Sequence, residues 1–274
     1  MRGDYLSEKQ KRRRRRQKYS YYGTLFVIIG FACWGCAWII LRSPLFRIDQ
    51  VVVKGNVDVS SAQVVSLLDA TIINKGDLVG APQNGLKAML GLRNMLIWPS
   101  QLPSADLALV PQLASVAISK NYFSHTVTAT VAERAPFGIW CLTTGSERCY
   151  WFDDQGIVFG TAFDTEGSLL LVVRDGSQTS LALGQPVLPE EFVPNLISIL
   201  RAVQASGIAV SDISLTDMSL EQVNVTTADG PAIYFSLRFP ADDDLPVLQN
   251  LMKQSNFSKL QYIDFTVQNR AYYK

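Results

Sequence analysis

The chain has 274 residues, 48% hydrophobic and only 18% charged, so it is not a disordered polymer and has ample material for buried cores. Its net charge of +1 hides a split: residues 1–22 hold nine basic side chains against two acidic ones, and the rest hold 16 basic and 22 acidic. The single histidine, His125, excludes a two-histidine metal site and leaves any Ser-His or Cys-His nucleophile one base to use. Tyr122-Phe123-Ser124-His125-Thr126 reads instead as a turn between two strands.

In chain order, residues 1–22 form a basic tail that includes the run Arg12, Arg13, Arg14, Arg15 and Arg16. Residues 23–41 contain no charge, and as a helix they would extend about 28 Å, near the thickness of a bilayer's hydrocarbon core. Tyr19, Tyr21 and Tyr22 lie before this run, with Trp34 and Trp38 towards its far end, where amphipathic rings favour the interface. Basic residues stay on the cytoplasmic side, so residues 42–274 are expected outside the membrane. A cleaved signal peptide would end in small residues, but this run ends in Trp38-Ile39-Ile40-Leu41. The expectation is an uncleaved anchor. Cys33 and Cys36 fall inside it and read as small apolar filler.

The region 45–133 reads as a small α+β module. Phe46 to Lys54 is an expected strand ending in Gly55-Asn56, and Ser60-Ser61 caps a helix presenting Val64, Val65, Leu67 and Leu68. Short helices are expected at Leu86–Leu92 and Ala105–Leu113, the second shortened or bent by Pro111. Strands follow at Ser115–Tyr122 and Thr126–Glu133, with alternating Val127, Ala129 and Val131.

The region 134–274 is richer in strands. Cys141 and Cys149 lie in aromatic-rich strands flanking a Gly-containing turn, which would set the sulfurs across a hairpin as a structural disulfide in an oxidising exterior. Asp153-Asp154-Gln155-Gly156 is an expected turn, and Leu169–Val173 a buried strand. Glu190–Ala205 is a helix stopped by Gly207. Val223–Thr227 and Ile233–Phe239 flank a hairpin turn, and Asp242–Ser255 is a helix whose acidic first turn suits the macrodipole. Leu260–Tyr272 is the last expected strand.

In this order and spacing, several segments resemble the FtsQ/DivIB family of bacterial cell-division proteins. They are the basic tail, the apolar run, the strand through Gly55-Asn56, Val131-Ala132-Glu133-Arg134-Ala135-Pro136, Asp153-Asp154-Gln155-Gly156-Ile157-Val158-Phe159 and Tyr262-Ile263-Asp264-Phe265. The resemblance implies a POTRA domain over 45–133 and the family's β-domain over 134–274. It also implies a non-enzymatic, single-pass scaffold at the division septum, with partners resembling FtsB/DivIC and FtsL. The chain departs from the family in its long stretch from Gly76 to Pro103, with Asn94–Pro99 as an added strand, and in its cysteine pair.

A terminal strand with a free edge is a template for an incoming chain. Tyr262, Asp264, Phe265, Thr266, Arg270 and Tyr272 are therefore the expected partner-binding residues. Period two allows either Tyr262, Asp264 and Thr266 or Ile263, Phe265 and Val267 to face outward, and the polar set is the preferred reading. No catalytic, metal or cofactor site is expected. Asp153-Asp154 and Asp242 to Asp244 read as turn and helix start, and Glu133-Arg134 as an ion pair at the domain junction. A Ser-Lys hydrolase is disfavoured, because Ser119-Lys120 and Ser258-Lys259 would point to opposite faces of a strand. A secretion or envelope-assembly POTRA protein is the other reading; repeated POTRA units or a barrel would be expected there.

Overall fold

A computed structural model describes residues 19, 21–36, 38–39, 43–74, 94–145, 148–163 and 171–274. The arginine run Arg12 to Arg16 and the expected helix at Leu86–Leu92 lie outside the described residues. Residues 21–36 are helical, but among the described residues no helix is long and apolar enough to cross a membrane. The architecture is mixed α+β, with a three-stranded and a nine-stranded sheet. The described residues fall into two compact units. One comprises those of Met1–Val52, Asp69–Ser100 and Ile118–Ala129, the other those of Val53–Leu68, Gln101–Ala117 and Thr130–Lys274.

The smaller sheet has the order β1-β3-β2, with β1 at Gln50–Lys54, β2 at Leu113–Asn121 and β3 at Thr126–Glu133. β1 starts later than expected, because Pro44–Phe46 forms a 3-10 turn capped by the Ser43 hydroxyl. Gly55 ends β1 at φ +84°, where a Cβ would lie 2.4 Å from the Val131 carbonyl oxygen. Only glycine fits this turn. Helix α1, Ser61–Asn74, opens with a reciprocal cap: Ser60 Oγ accepts from the Gln63 N–H at 3.3 Å and Gln63 Oε1 from the Ser60 N–H at 3.0 Å. It buries Val64, Leu67 and Leu68.

Two expectations change here. The helix expected at Ala105–Leu113 is a single turn, Ser104–Leu107, since Pro111 blocks continuation and β2 already begins at Leu113. The strand expected at Asn94–Pro99 is a 3-10 turn, Met95–Ile97, with Met95 and Trp98 buried. The extended pairing comes slightly later: the Ile118 N–H donates to Ser100 O at 2.8 Å and the Leu102 N–H to Val116 O at 3.1 Å.

Nor do Glu133 and Arg134 pair with each other. The Glu133 carboxylate accepts from the N–H groups of Val57, Asp58 and Val59 at 2.8, 3.0 and 3.0 Å. Desolvation raises its pKa, but these donors outweigh it and hold the pKa below the ordinary value. Arg134 instead donates through Nε to Pro111 O at 3.1 Å and through Nη1 to the Asp153 carboxylate. Both side chains are nearly buried, at 11% and 5% exposure. Asp153 completes its shell with the N–H groups of Gln155 and Ile157 at 3.0 and 2.8 Å, which closes the expected turn.

The larger sheet has the order β12-β11-β10-β9-β8-β7-β4-β5-β6. Its strands are β4 Gly138–Leu142, β5 Arg148–Phe152, β6 Val158–Ala162, β7 Leu171–Asp175, β8 Val210–Leu215, β9 Gln222–Thr227, β10 Ala232–Ser236, β11 Tyr262–Phe265 and β12 Tyr272–Tyr273. Helix α2, Val193–Ser206, connects β7 to the parallel β8, and α3, Asp244–Met252, connects β10 to the parallel β11. A parallel pair needs such a crossover. Both helices contribute to one core with Trp140, Phe152, Leu215, Val225, Phe235 and Phe265. Inside it, Asp175 is fully buried yet satisfied by Trp140 Nε1, the Ser177 N–H and hydroxyl, and Gln178 Nε2. On a separate cluster, Cys141 and Cys149 face each other across β4 and β5 and are disulfide-bonded.

Two measurements check these interactions. Replacing Arg134 with Ala leaves the Asp153 carboxylate buried without its cation. It should lower the stability to denaturant by about 3–5 kcal/mol, and Arg134→Lys should not restore it, because one ammonium cannot reach both acceptors. At the start of α3, burial and then the neighbouring Asp243 push Asp244 up to about 6. The folded state thus binds more protons than the unfolded chain between pH 4 and 6, so stability falls as pH rises through that window. Asp244→Asn should raise the melting temperature at pH 7.5 by roughly 2–4 °C and lose that advantage towards pH 4. This corresponds to about 1 kcal/mol for a half-exposed group.

Candidate partner-binding edge

The chain from Leu260 is not one strand. β11 ends at Phe265 because Asp264 folds onto Thr266, accepting from its N–H at 2.7 Å and its hydroxyl at 2.6 Å. The backbone then turns through Asn269, at φ +58°, with the Arg270 N–H donating to Val267 O at 3.1 Å. It returns antiparallel as β12, pairing Tyr273 with Ile263 and Tyr272 with Asp264. The outer edge of β11 is therefore occupied by its own chain. The Gln261 N–H donates to Lys274 O at 2.6 Å and the Lys274 N–H to Tyr262 O at 3.3 Å. Since Lys274 directs its backbone groups inward, alternation directs those of Tyr273 outward. The free edge lies on β12.

The side chains divide by the same alternation. Ile263 and Phe265 are buried, and the Phe265 ring stacks on Phe235 at 5.3 Å. The expectation that Phe265 contacts a partner is thus corrected: its ring belongs to the core beneath the sheet. Tyr262, Asp264 and Thr266 are half-buried on the other face, where Tyr262 lies 6.4 Å from Tyr234. Arg270 and Tyr272 are exposed and joined by a 3.3 Å hydrogen bond from Nη1 to the phenol oxygen. Tyr273, the other residue of β12, is 52% exposed and contributes the outward backbone groups. Its signal was the Tyr-Tyr pair itself, two large amphipathic rings at adjacent positions. Lys259, Arg270 and Lys274 are exposed in this last part of the chain.

The other residues singled out by sequence hold structural positions. His125 sits at φ +53°, with Nδ1 3.2 Å from Arg47 O. Ser119 Oγ donates to Thr128 O and Lys120 Nζ to Trp98 O, and burial lowers the Lys120 pKa. Among the described residues, no three His, Cys, Asp or Glu side chains are placed to hold a metal ion.

No family model matches the chain. It is similar to a curated protein named "Cell division protein FtsQ" from Geobacter sp. (strain M21), at 24% identity over 190 residues. The match covers 68% of this chain and 59% of that relative, so the comparison spans well under two thirds of the relative's length. The likeness suggests the FtsQ family.

Core and edge are separable by mutation. Phe265→Ala should cost about 3–5 kcal/mol in unfolding free energy, as expected for a buried aromatic ring. Tyr272→Ala should stay within about 0.5 kcal/mol, as expected for an exposed position.

Proposed function

We propose that the chain is a single-pass scaffold of the bacterial divisome, anchored by residues 23–41 with its N-terminus in the cytoplasm. Residues 45–133 act as a POTRA domain and 134–274 as the β-domain. Their role is to gather FtsB/DivIC-like and FtsL-like division proteins at the septum, where cell-wall synthesis is recruited and regulated. The basic tail, Arg12 to Arg16, sets topology and meets anionic lipid headgroups.

The observation that carries this reading is the edge on β12. An incoming segment gains backbone hydrogen bonds from Tyr273 and side-chain contacts from Tyr272, Arg270 and the outer Tyr262 face. Tyrosine and arginine are the residue types enriched where binding energy concentrates. The exposed Lys259, Arg270 and Lys274 favour an acidic segment. Likeness to a protein named for cell division supports the setting in which such a segment would be met.

A photoreactive residue placed in turn at Arg270, Tyr272 and Tyr273 in native membranes should capture small bitopic division proteins. A Tyr273→Pro variant removes the outward N–H and should lose that capture while its melting temperature is nearly unchanged. Retained capture by the folded variant would move the interface away from β12. Capture of secretion or outer-membrane components instead would overturn the division role.

A further inference from the structure

The turn between β2 and β3 is built tightly and yet displays an aromatic ring to solvent. Asn121 Oδ1 accepts from the N–H groups of Phe123 and Ser124 at 3.1 and 3.2 Å, so the side chain closes the turn on itself. Thr126 Oγ1 donates to Ser124 O at 3.0 Å, and His125 takes the left-handed conformation that brings the chain back into β3. The His125 carbonyl accepts from the Asp49 N–H at 2.9 Å, which ties the turn to the segment leading into β1. At the apex of this fixed turn Phe123 is 97% exposed.

A lone exposed ring is ordinary on a soluble surface. Phe123 is not isolated from other apolar groups. Its neighbour Tyr122 packs edge-on against Phe46, with ring centroids 5.7 Å apart, and Leu45 beside Phe46 is 56% exposed. Leu45 is only four residues beyond Leu41, the end of the apolar run, so at full extension the two lie at most about 14 Å apart. The headgroup layer of a bilayer is itself about 5–8 Å deep on each side. Arg47 follows in the same segment with its guanidinium largely exposed, 3.8 Å from the equally exposed Asp49 carboxylate. The tether and the rings together match the groups that settle at a membrane interface.

We propose that the β2–β3 turn is an interfacial anchor, with Phe123, Tyr122 and Leu45 entering the headgroup–acyl boundary of the bilayer on the extracytoplasmic side. This rests on the reading of residues 23–41 as a membrane span. It adds a second contact with the lipid, which holds the turn end of β2 and β3 against the membrane rather than leaving it on a free tether. Phe123 supplies the insertion, and the Asn121-closed turn holds it ready.

The full chain is reconstituted into nanodiscs of phosphatidylethanolamine and phosphatidylglycerol, with trifluoromethyl-phenylalanine at position 123 or, as control, at Val57. Val57 is also highly exposed, and its N–H is bonded to Glu133 where β3 ends. A gadolinium-chelating headgroup lipid should broaden the fluorine resonance at 123 several-fold more than at 57. Asn121→Ala, which opens the turn, should reduce that difference. Equal broadening at both positions in a chain that co-floats with the nanodiscs overturns the anchor and leaves the span intact. A chain that does not co-float overturns the span, and the anchor with it.

Discussion

The buried pair of Arg134 and Asp153 organises more of the chain than any other polar contact described. Arg134 follows β3 directly, and its guanidinium reaches Pro111 O as well as the β5–β6 turn at Asp153. Its backbone N–H adds a bond to Gln112 O at 2.8 Å. One side chain therefore fixes three segments distant in sequence. Asp153 spends its other oxygen on the N–H groups of its own turn, so both carboxylate oxygens are partnered. Burying such a pair is favourable only under these conditions, since each ion loses its hydration. The cost of an error is correspondingly high, which makes the contact specific in register as well as attractive.

The larger sheet follows from a different constraint. Its order is far from sequential, yet its two helix-bridged parallel pairs lay α2 and α3 into a single core. That core occupies one side of the strands. The other side is left to half-buried tyrosines and polar groups around Tyr234, Tyr262 and Asp264, and to the small cluster around the disulfide. A sheet of this kind ends in an edge, and an edge must be covered, blunted or used. Here β12 covers β11 with only two residues, a short strand whose outward groups sit between exposed tyrosines.

Much of this was legible locally. Alternation marked β3, the Ser60–Gln63 cap and apolar spacing marked α1, and Gly207 marked the end of α2. β8 carries only a weak signal, although Ile213 and Leu215 alternate with Asp212 and Ser214, because a run that short competes with ordinary loop composition. The candidate edge was half legible. Tyrosines and an arginine near the last strand pointed to the end of the sheet where β12 lies, but Leu260–Tyr272 offered no signal that Asp264 and Thr266 would break it and send the chain back. A turn closed by a side-chain carboxylate looks, in sequence, like one more polar residue in a strand.

What the amino-acid order determined by itself was therefore local: which segments are apolar with which period, where glycine must stand, and how the charge divides between tail and body. Phe265 illustrates what it could not determine. In an isolated strand its face and that of Tyr262 are equivalent choices. Only the pairing of β11 with the parallel β10, across the α3 crossover, stacks Phe265 on Phe235 and so decides which face is core. The same holds for Arg134, whose natural partner by proximity is Glu133. Three backbone N–H groups from Val57 to Val59 claim that carboxylate first, and the arginine is left to find Asp153. Periodicity is written along the chain, but competition among partners is settled only when distant segments meet.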